Sequence, residues 1–99
     1  MREIERQLIS LMQDHKRTGS KASKQEEIDK LIRLVNWLCD TKAGVKRLEQ
    51  IGRRHIFHYY EHLSEDLGLS ISSIYKYQLA IEKLWLKMDR KGVAPKAIN

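Results

Sequence analysis

Apolar residues recur at three- and four-residue spacing in four segments of the chain, and this period predicts amphipathic helices. The predicted helices cover residues 2–15, 24–40, 53–67 and 71–91. The segments that join them are short, and no repeat or low-complexity stretch interrupts the pattern. The pattern indicates an all-α protein, a compact orthogonal four-helix domain.

Capping and turn residues predict where these helices begin and end. Ser23 and Glu26 have the spacing of a capping box, so Ser23 is the expected N-cap of the second helix. Ser70 is the expected N-cap of the fourth helix. Gly68 and Gly92 follow the third and fourth helices, where glycine readily adopts the left-handed conformation that ends a helix.

Each predicted helix carries an apolar stripe that should form part of one core. The connector over 41–52 adds a single apolar turn to it. The expected core residues are Ile4, Leu8, Leu11, Met12, Ile28, Leu31, Ile32, Val35, Leu38, Cys39, Val45, Leu48, Ile51, Ile56, Tyr59, Tyr60, Leu63, Leu67, Ile74, Tyr77, Ile81, Leu84, Trp85 and Met88. The fourth helix has a second apolar stripe, Tyr75, Leu79 and Leu86, so we expect it to pack against neighbours on two sides.

The remaining sector of the fourth helix contains no acidic residue. Its members are Ser72, Ser73, Lys76, Ala80, Lys83, Lys87, Arg90 and Lys91. This arrangement suits a helix in a DNA major groove, because hydroxyls bind phosphates or base edges, Ala80 permits close approach and lysines follow the backbone. The alternative is an ordinary solvated lysine face. The DNA interpretation requires the sector to be exposed and not neutralised by carboxylates from elsewhere in the chain.

The charge of the whole chain agrees with a polyanionic partner. Of its 99 residues, 19 are basic and 13 acidic, for a net charge of +6. Residues 70–99 alone carry +4. No apolar run approaches the ~20 residues of a membrane helix, so no membrane association is expected. A single cysteine, Cys39, gives no disulfide framework and fits a cytoplasmic protein.

Motifs of catalysis are missing from the sequence. It contains no Gly-rich phosphate loop, no Gly-x-Ser-x-Gly and no His-Glu-x-x-His, so we predict no enzymatic activity and no cofactor. His55, His58 and His62 share one face of the third helix, which makes a zinc site conceivable. That face lies opposite the apolar stripe and shows no separate fourth ligand. A solvated face without metal is therefore the preferred interpretation.

Several motifs resemble one protein family. The run Ile51-Gly52-Arg53-Arg54-His55-Ile56 leads into Tyr59-Tyr60-x-x-Leu63, and Leu69-Ser70-x-Ser72-Ser73-Ile74-Tyr75-x-Tyr77 leads into Ala80-Ile81-x-x-Leu84-Trp85. The opening Met1-Arg2-Glu3-Ile4-Glu5-Arg6-Gln7-Leu8 and the later Gly19-Ser20-x-Ala22-Ser23 belong to the same likeness. Together they resemble the N-terminal core-binding, SAM-like domain of tyrosine recombinases (integrases) of phages and genomic islands of proteobacteria.

The resemblance implies a four-helix module that grips double-stranded DNA and positions a recombinase for site-specific DNA integration. Its second and fourth helices would approach the major groove. The implied DNA-binding residues are Lys21, Ser23, Lys24, Arg33, Ser72, Ser73, Lys76, Lys83, Lys87 and Arg90, with Ser20 and Lys30 as further candidates. The implied partners are DNA and either a C-terminal catalytic domain or other integrase protomers, in a bacterial, nucleoid-associated setting.

The resemblance also implies domain limits. Residues 1–92 would form the DNA-binding domain, and 93–99 would begin an interdomain linker or a C-terminal tail. The catalytic residues of the family have no counterpart here, so the chain is expected to be either an excised N-terminal portion of an integrase or a free-standing relic, with the ending after Pro95 favouring excision.

A function of another class fits the same sequence. A small helical protein–protein adaptor would dock on an acidic partner through its basic residues. In that case the second apolar stripe of the fourth helix (Tyr75, Leu79 and Leu86) would be an exposed patch and not be covered by a neighbour.

Overall fold

Four α-helices make up most of the computed structural model, which describes residues 2–12, 21–41, 44–89, 92 and 94–97, without the side chains of 21–24. The helices are α1 (Glu3–Leu11), α2 (Lys21–Asp40), α3 (Arg53–Glu61) and α4 (Ile71–Lys87). A 3₁₀ turn covers Leu48–Gln50, and a π-helical turn, His62–Asp66, continues α3. The described residues form no strand, and the fold measures 34 × 29 × 28 Å along its principal axes. The predicted all-α, compact four-helix class is confirmed.

Three helix boundaries differ from the prediction. The first helix, α1, ends at Leu11 and not at residue 15. The second helix, α2, already begins at Lys21, so Ser23 lies within its first turn and the predicted N-cap there is wrong. Lysine and alanine favour helix, which allows the turn to start earlier. At the other end of the chain, α4 ends at Lys87, and Asp89 follows with a φ of 54°. That left-handed residue stops the helix before the predicted glycine.

The predicted connector and the fourth-helix cap are both confirmed. Val45, Leu48 and Ile51 are buried in the core. The connector is tied to α1, because the Leu48 amide donates to Gln7 Oε1 over 3.0 Å. At the start of α4, the Ser70 hydroxyl accepts a hydrogen bond from the Ser73 amide, as an N-cap does.

The core is centred on α2, which packs against α1, α3 and α4. Because α2 has neighbours on several sides, its buried sector is wider than a single stripe and includes Leu34, which the pattern did not select. Most of the expected core residues are buried. Those that are only partly buried at its edge are Leu11, Ile32, Cys39 and Met88.

Leu67 was expected in the core and is 55% exposed. The chain turns away from the bundle at this point, because Gly68 has a φ of 62° and the Leu69 amide returns to the Leu63 carbonyl. The left-handed turn thus ends the third helix at the predicted glycine but directs Leu67 toward solvent.

The described residues of the C-terminal segment pack on α3 and α4. Ala94 and Pro95 are buried, and the Tyr60 hydroxyl donates to the Pro95 carbonyl over 2.9 Å. The Ala97 amide donates to Oε1 of the buried Gln78, also over 2.9 Å. Residues 94–97, expected at the start of a linker or tail, are therefore part of the packed structure.

Candidate nucleic-acid interface

The polar sector of α4 is interrupted by the core. Ala80, expected to let DNA approach closely, is 0% exposed and belongs to the hydrophobic core. This expectation is wrong, because α4 packs along α2 and the contact widens its buried face as far as Ala80. A duplex cannot reach this side chain without unfolding the bundle.

The same sector is partly neutralised by α2. Lys83 Nζ lies 2.5 Å from Glu27 Oε1, and the Glu27 side chain is only 19% exposed. Glu26 and Glu27 also line a shallow depression together with Lys30 and Lys76. The expectation of a flank without facing carboxylates is therefore wrong: within α4 the sector has no acid, but the packing of α2 supplies two.

Basic side chains of α2 and α4 nevertheless converge on one surface. Lys30 Nζ lies 5.7 Å from the centre of the Tyr77 ring, and Arg33 Nη1 donates to the Tyr77 hydroxyl over 3.1 Å. That hydrogen bond is the main cause of a raised pKa at Arg33, so the guanidinium stays charged. We call Lys30, Arg33, Lys76 and Lys83 the basic band.

The other candidate residues lie apart from this band or at its end. Lys87 is exposed and lines a separate cavity of about 320 Å³ with Gln7 and Glu49. Ser72 is exposed and Ser73 half-buried, and both hydroxyls lie within hydrogen-bond distance of the Ser70 hydroxyl, at 3.3 and 3.2 Å. The remaining candidates fall outside the described side chains: Lys21, Ser23, Lys24 and Arg90, and also Ser20 and Lys91.

The three histidines of the third helix have separate environments. His55 Nδ1 accepts the Gly52 amide at 2.8 Å and so caps α3, while His58 is exposed. His62 stacks on Trp37 of α2 with ring centres 4.9 Å apart, and its Nδ1 lies 2.8 Å from Asp66 Oδ2. The expectation of a solvated face is wrong for His62, because α2 covers it with an aromatic ring. Among the described residues, no group of His, Cys, Asp and Glu is arranged to hold a metal ion.

Tyr59 and Tyr60 are buried in the bundle. Burial raises the pKa of both Tyr59 and Tyr60, and nearby Glu82 adds to the effect at Tyr60. Tyr59 also contacts the rings of Trp37 and Tyr77. A raised pKa disfavours the phenolate at both positions.

The second apolar stripe of α4 is exposed. Tyr75 is 44%, Leu79 37% and Leu86 79% exposed. The expectation that a neighbouring helix covers this stripe is wrong, because the packing of α2 and of the C-terminal segment on α4 leaves all three side chains exposed. The exposed side of α4 therefore places apolar residues directly beside the lysines of the basic band.

None of the described helices has the length and apolar composition needed to cross a membrane. Comparison of the chain with family models, with curated proteins and with solved structures finds no match. The basis for a functional proposal is therefore the surface chemistry of α2 and α4 and the motifs noted above.

Proposed function

We propose that this protein binds double-stranded DNA through the basic band, as the core-binding module of a site-specific tyrosine recombinase whose chemistry resides outside this chain. The observation that carries the proposal is the convergence of Lys30 and Arg33 of α2 with Lys76 of α4 on one surface. Lys83 joins this surface through its ion pair with Glu27. Helices α2 and α4 are the two helices that the family resemblance implicates. The net charge of +6 favours the same polyanionic partner.

The band is suited to phosphate contacts more than to base reading. Arg33 can present its guanidinium to phosphate oxygens, while Lys76 adds an exposed point charge. Glu26 and Glu27 reduce the local charge. Because Lys83 is paired with Glu27, about three phosphate contacts remain, so log Kd should change with log salt by a slope of about 2.7. Affinity should be modest, in the ~10⁻⁴–10⁻⁶ M range.

Charge reversal within the band tests the proposal. Fluorescence anisotropy with a labelled duplex of about 25 base pairs, between about 50 and 200 mM salt, would compare the native chain with an Arg33→Glu/Lys76→Glu variant. We expect binding to fall at least about tenfold and the salt slope to become smaller. Circular dichroism should show unchanged helix content, since both side chains lie at the surface.

A matched control separates this surface from general charge attraction. Lys46→Glu/Arg54→Glu changes the net charge by the same amount at exposed positions outside the band. This variant should lose much less affinity. Equal losses in the two variants, or full binding by the Arg33→Glu/Lys76→Glu protein, would refute the proposed interface.

A second candidate function, a helical adaptor for an acidic protein, is favoured by one observation. The stripe of Tyr75, Leu79 and Leu86 is exposed beside the basic band, as such an adaptor requires. A Tyr75→Ser/Leu86→Ser variant distinguishes the two functions. DNA binding should be retained in this variant, whereas an adaptor would lose its partner; polyglutamate, as a probe of charge alone, should not displace the duplex if DNA is the ligand.

A further inference from the structure

A groove on the opposite flank of α4 has properties unlike those of the basic band. It lies between α3 with its π turn, the first turn of α4 and the C-terminal segment, and has a volume of about 570 Å³. Its apolar lining includes Phe57, which is 48% exposed, and Ile71, which is 73% exposed. Large apolar side chains left this open at the edges of a groove are typical of an interaction site.

The charged residues of this groove are mainly acidic. Glu61 and Glu65 line it, one helical turn apart and both exposed. Lys96 lines it as well, but also borders a neighbouring depression with Glu82. Within the described part of the chain, neither Glu61 nor Glu65 is paired with a basic side chain. Although the chain carries a net charge of +6, this groove is acidic and apolar. It therefore favours a partner that is positively charged and has an apolar face.

From this combination we infer that the groove binds a cationic amphipathic helix of a partner protein. An aliphatic or aromatic anchor of that helix would lie between Phe57 and Ile71. Lysine or arginine residues on the flank of that helix would pair with Glu61 and Glu65. The groove adjoins the exposed stripe of α4, because Ile71 begins the same side of the helix as Tyr75.

The groove and the basic band require partners of opposite charge. Nucleic acid is repelled by Glu61 and Glu65, and a cationic helix is repelled by Lys76 and Arg33. The inference therefore does not depend on the proposed DNA binding. A failure of either can be recognised without reference to the other.

Peptide binding to the full chain tests the groove. The probe is a labelled Leu/Lys amphipathic helix of about 15 residues, and its counterparts are a Leu/Glu helix of the same pattern and a Leu/Lys peptide with scrambled order. Anisotropy should show binding of the amphipathic Leu/Lys helix only. Chemical-shift changes in NMR spectra of the protein should centre on the groove residues.

Substitutions then assign the site. Glu61→Gln/Glu65→Gln should weaken the Leu/Lys helix about fivefold, and Phe57→Ala about tenfold. Glu3→Gln/Glu26→Gln, which removes the same charge at exposed positions away from the groove, should have little effect. Glu61→Lys/Glu65→Lys should transfer preference to the Leu/Glu helix, a result that loss of folding cannot produce.

Three results would overturn the inference. Equal binding of the scrambled peptide would show that charge alone is sensed. Equal weakening by Glu3→Gln/Glu26→Gln would place the contact elsewhere. Chemical-shift changes confined to the basic band would show that the peptide binds that surface and not the groove.

Discussion

Helix α4 takes part in two regions, the seam where it packs on α2 and the groove between it and α3. Charged side chains have different environments in the two regions. In the seam the helices lie close enough for Lys83 to pair with Glu27 and for Arg33 to bond Tyr77. In the groove the helices separate, leaving Phe57 and Ile71 exposed next to carboxylates. Charges in the seam therefore contribute to the fold as well as to any ligand, whereas those in the groove face solvent.

The largest expected effect concerns the helix that forms the seam. Leu34→Ala removes a fully buried side chain of α2 and should destabilise the protein by about 2–5 kcal/mol, through lost burial and a cavity. Leu86→Ala, at a 79% exposed position of α4, should change stability by less than about 0.5 kcal/mol. Urea denaturation monitored by circular dichroism measures both. Comparable losses would mean that the exposed side of α4 is covered after all.

A smaller loss of stability is expected when a larger side chain is placed in the seam. Ala80→Leu adds volume at a residue of α4 that is 0% exposed, and it should lower the free energy of unfolding by about 1–3 kcal/mol. Leu79→Ala, the adjacent change on the exposed side, is the control and should be close to neutral. If Ala80→Leu left the thermal midpoint unchanged, the wide buried face of α4 described above would be incorrect.

Tyr60 lines the groove, and its hydroxyl is one of the contacts that hold the C-terminal segment. Tyr60→Phe removes the donor to the Pro95 carbonyl and should cost about 0.5–1.5 kcal/mol. Hydrogen exchange of the Ala97 amide, which bonds to Gln78, should become faster in this variant. Unchanged exchange would indicate that the packing of Ala94 and Pro95 and the Ala97–Gln78 hydrogen bond hold the segment without the Tyr60 hydroxyl.

The substitution with the smallest expected effect on stability should also change DNA binding. Glu27→Gln removes the partner of Lys83 and should change the free energy of unfolding by no more than about 1 kcal/mol, because the pair is partly exposed. The released lysine should strengthen duplex binding several-fold and increase the salt slope by about 0.9. Glu3→Gln, at an exposed position of α1, is the control. Weaker binding by Glu27→Gln would mean that the ion pair positions Lys83 and does not mask it.

Much of the fold followed from local pattern. The four helices, the apolar turn of the connector, the Ser70 cap and the stop at Gly68 are set by neighbours in sequence, where spacing and backbone preference act directly. The N-cap at Ser23 and the ends of α1 and α4 were wrong, because several residues near each boundary tolerate either conformation. For the candidate interface, the sequence named all four residues of the basic band as candidates but not their acidic neighbours.

The surface features that the sequence did not reveal are contacts between elements. A helical wheel places Lys83 on a sector free of acid, yet Glu27, distant in sequence, faces it across the seam. Trp37 lies on the more polar side of α2, so the sequence pattern does not predict that it stacks on His62. That contact depends on how α3 packs against α2. The distance between Phe57 and Ile71 in sequence likewise gives no sign that they line one groove.

The amino-acid sequence alone determined that this chain is helical, where its main apolar stripes lie and that it is cationic, because periodicity, capping and composition are local or summed properties. Tertiary structure decided which stripe of α4 is buried, which lysine meets a carboxylate and where an acidic groove opens. The physical reason is that burial and ion pairing depend on the distance between helices, which the docking of α2, α3 and α4 sets and no single helix contains.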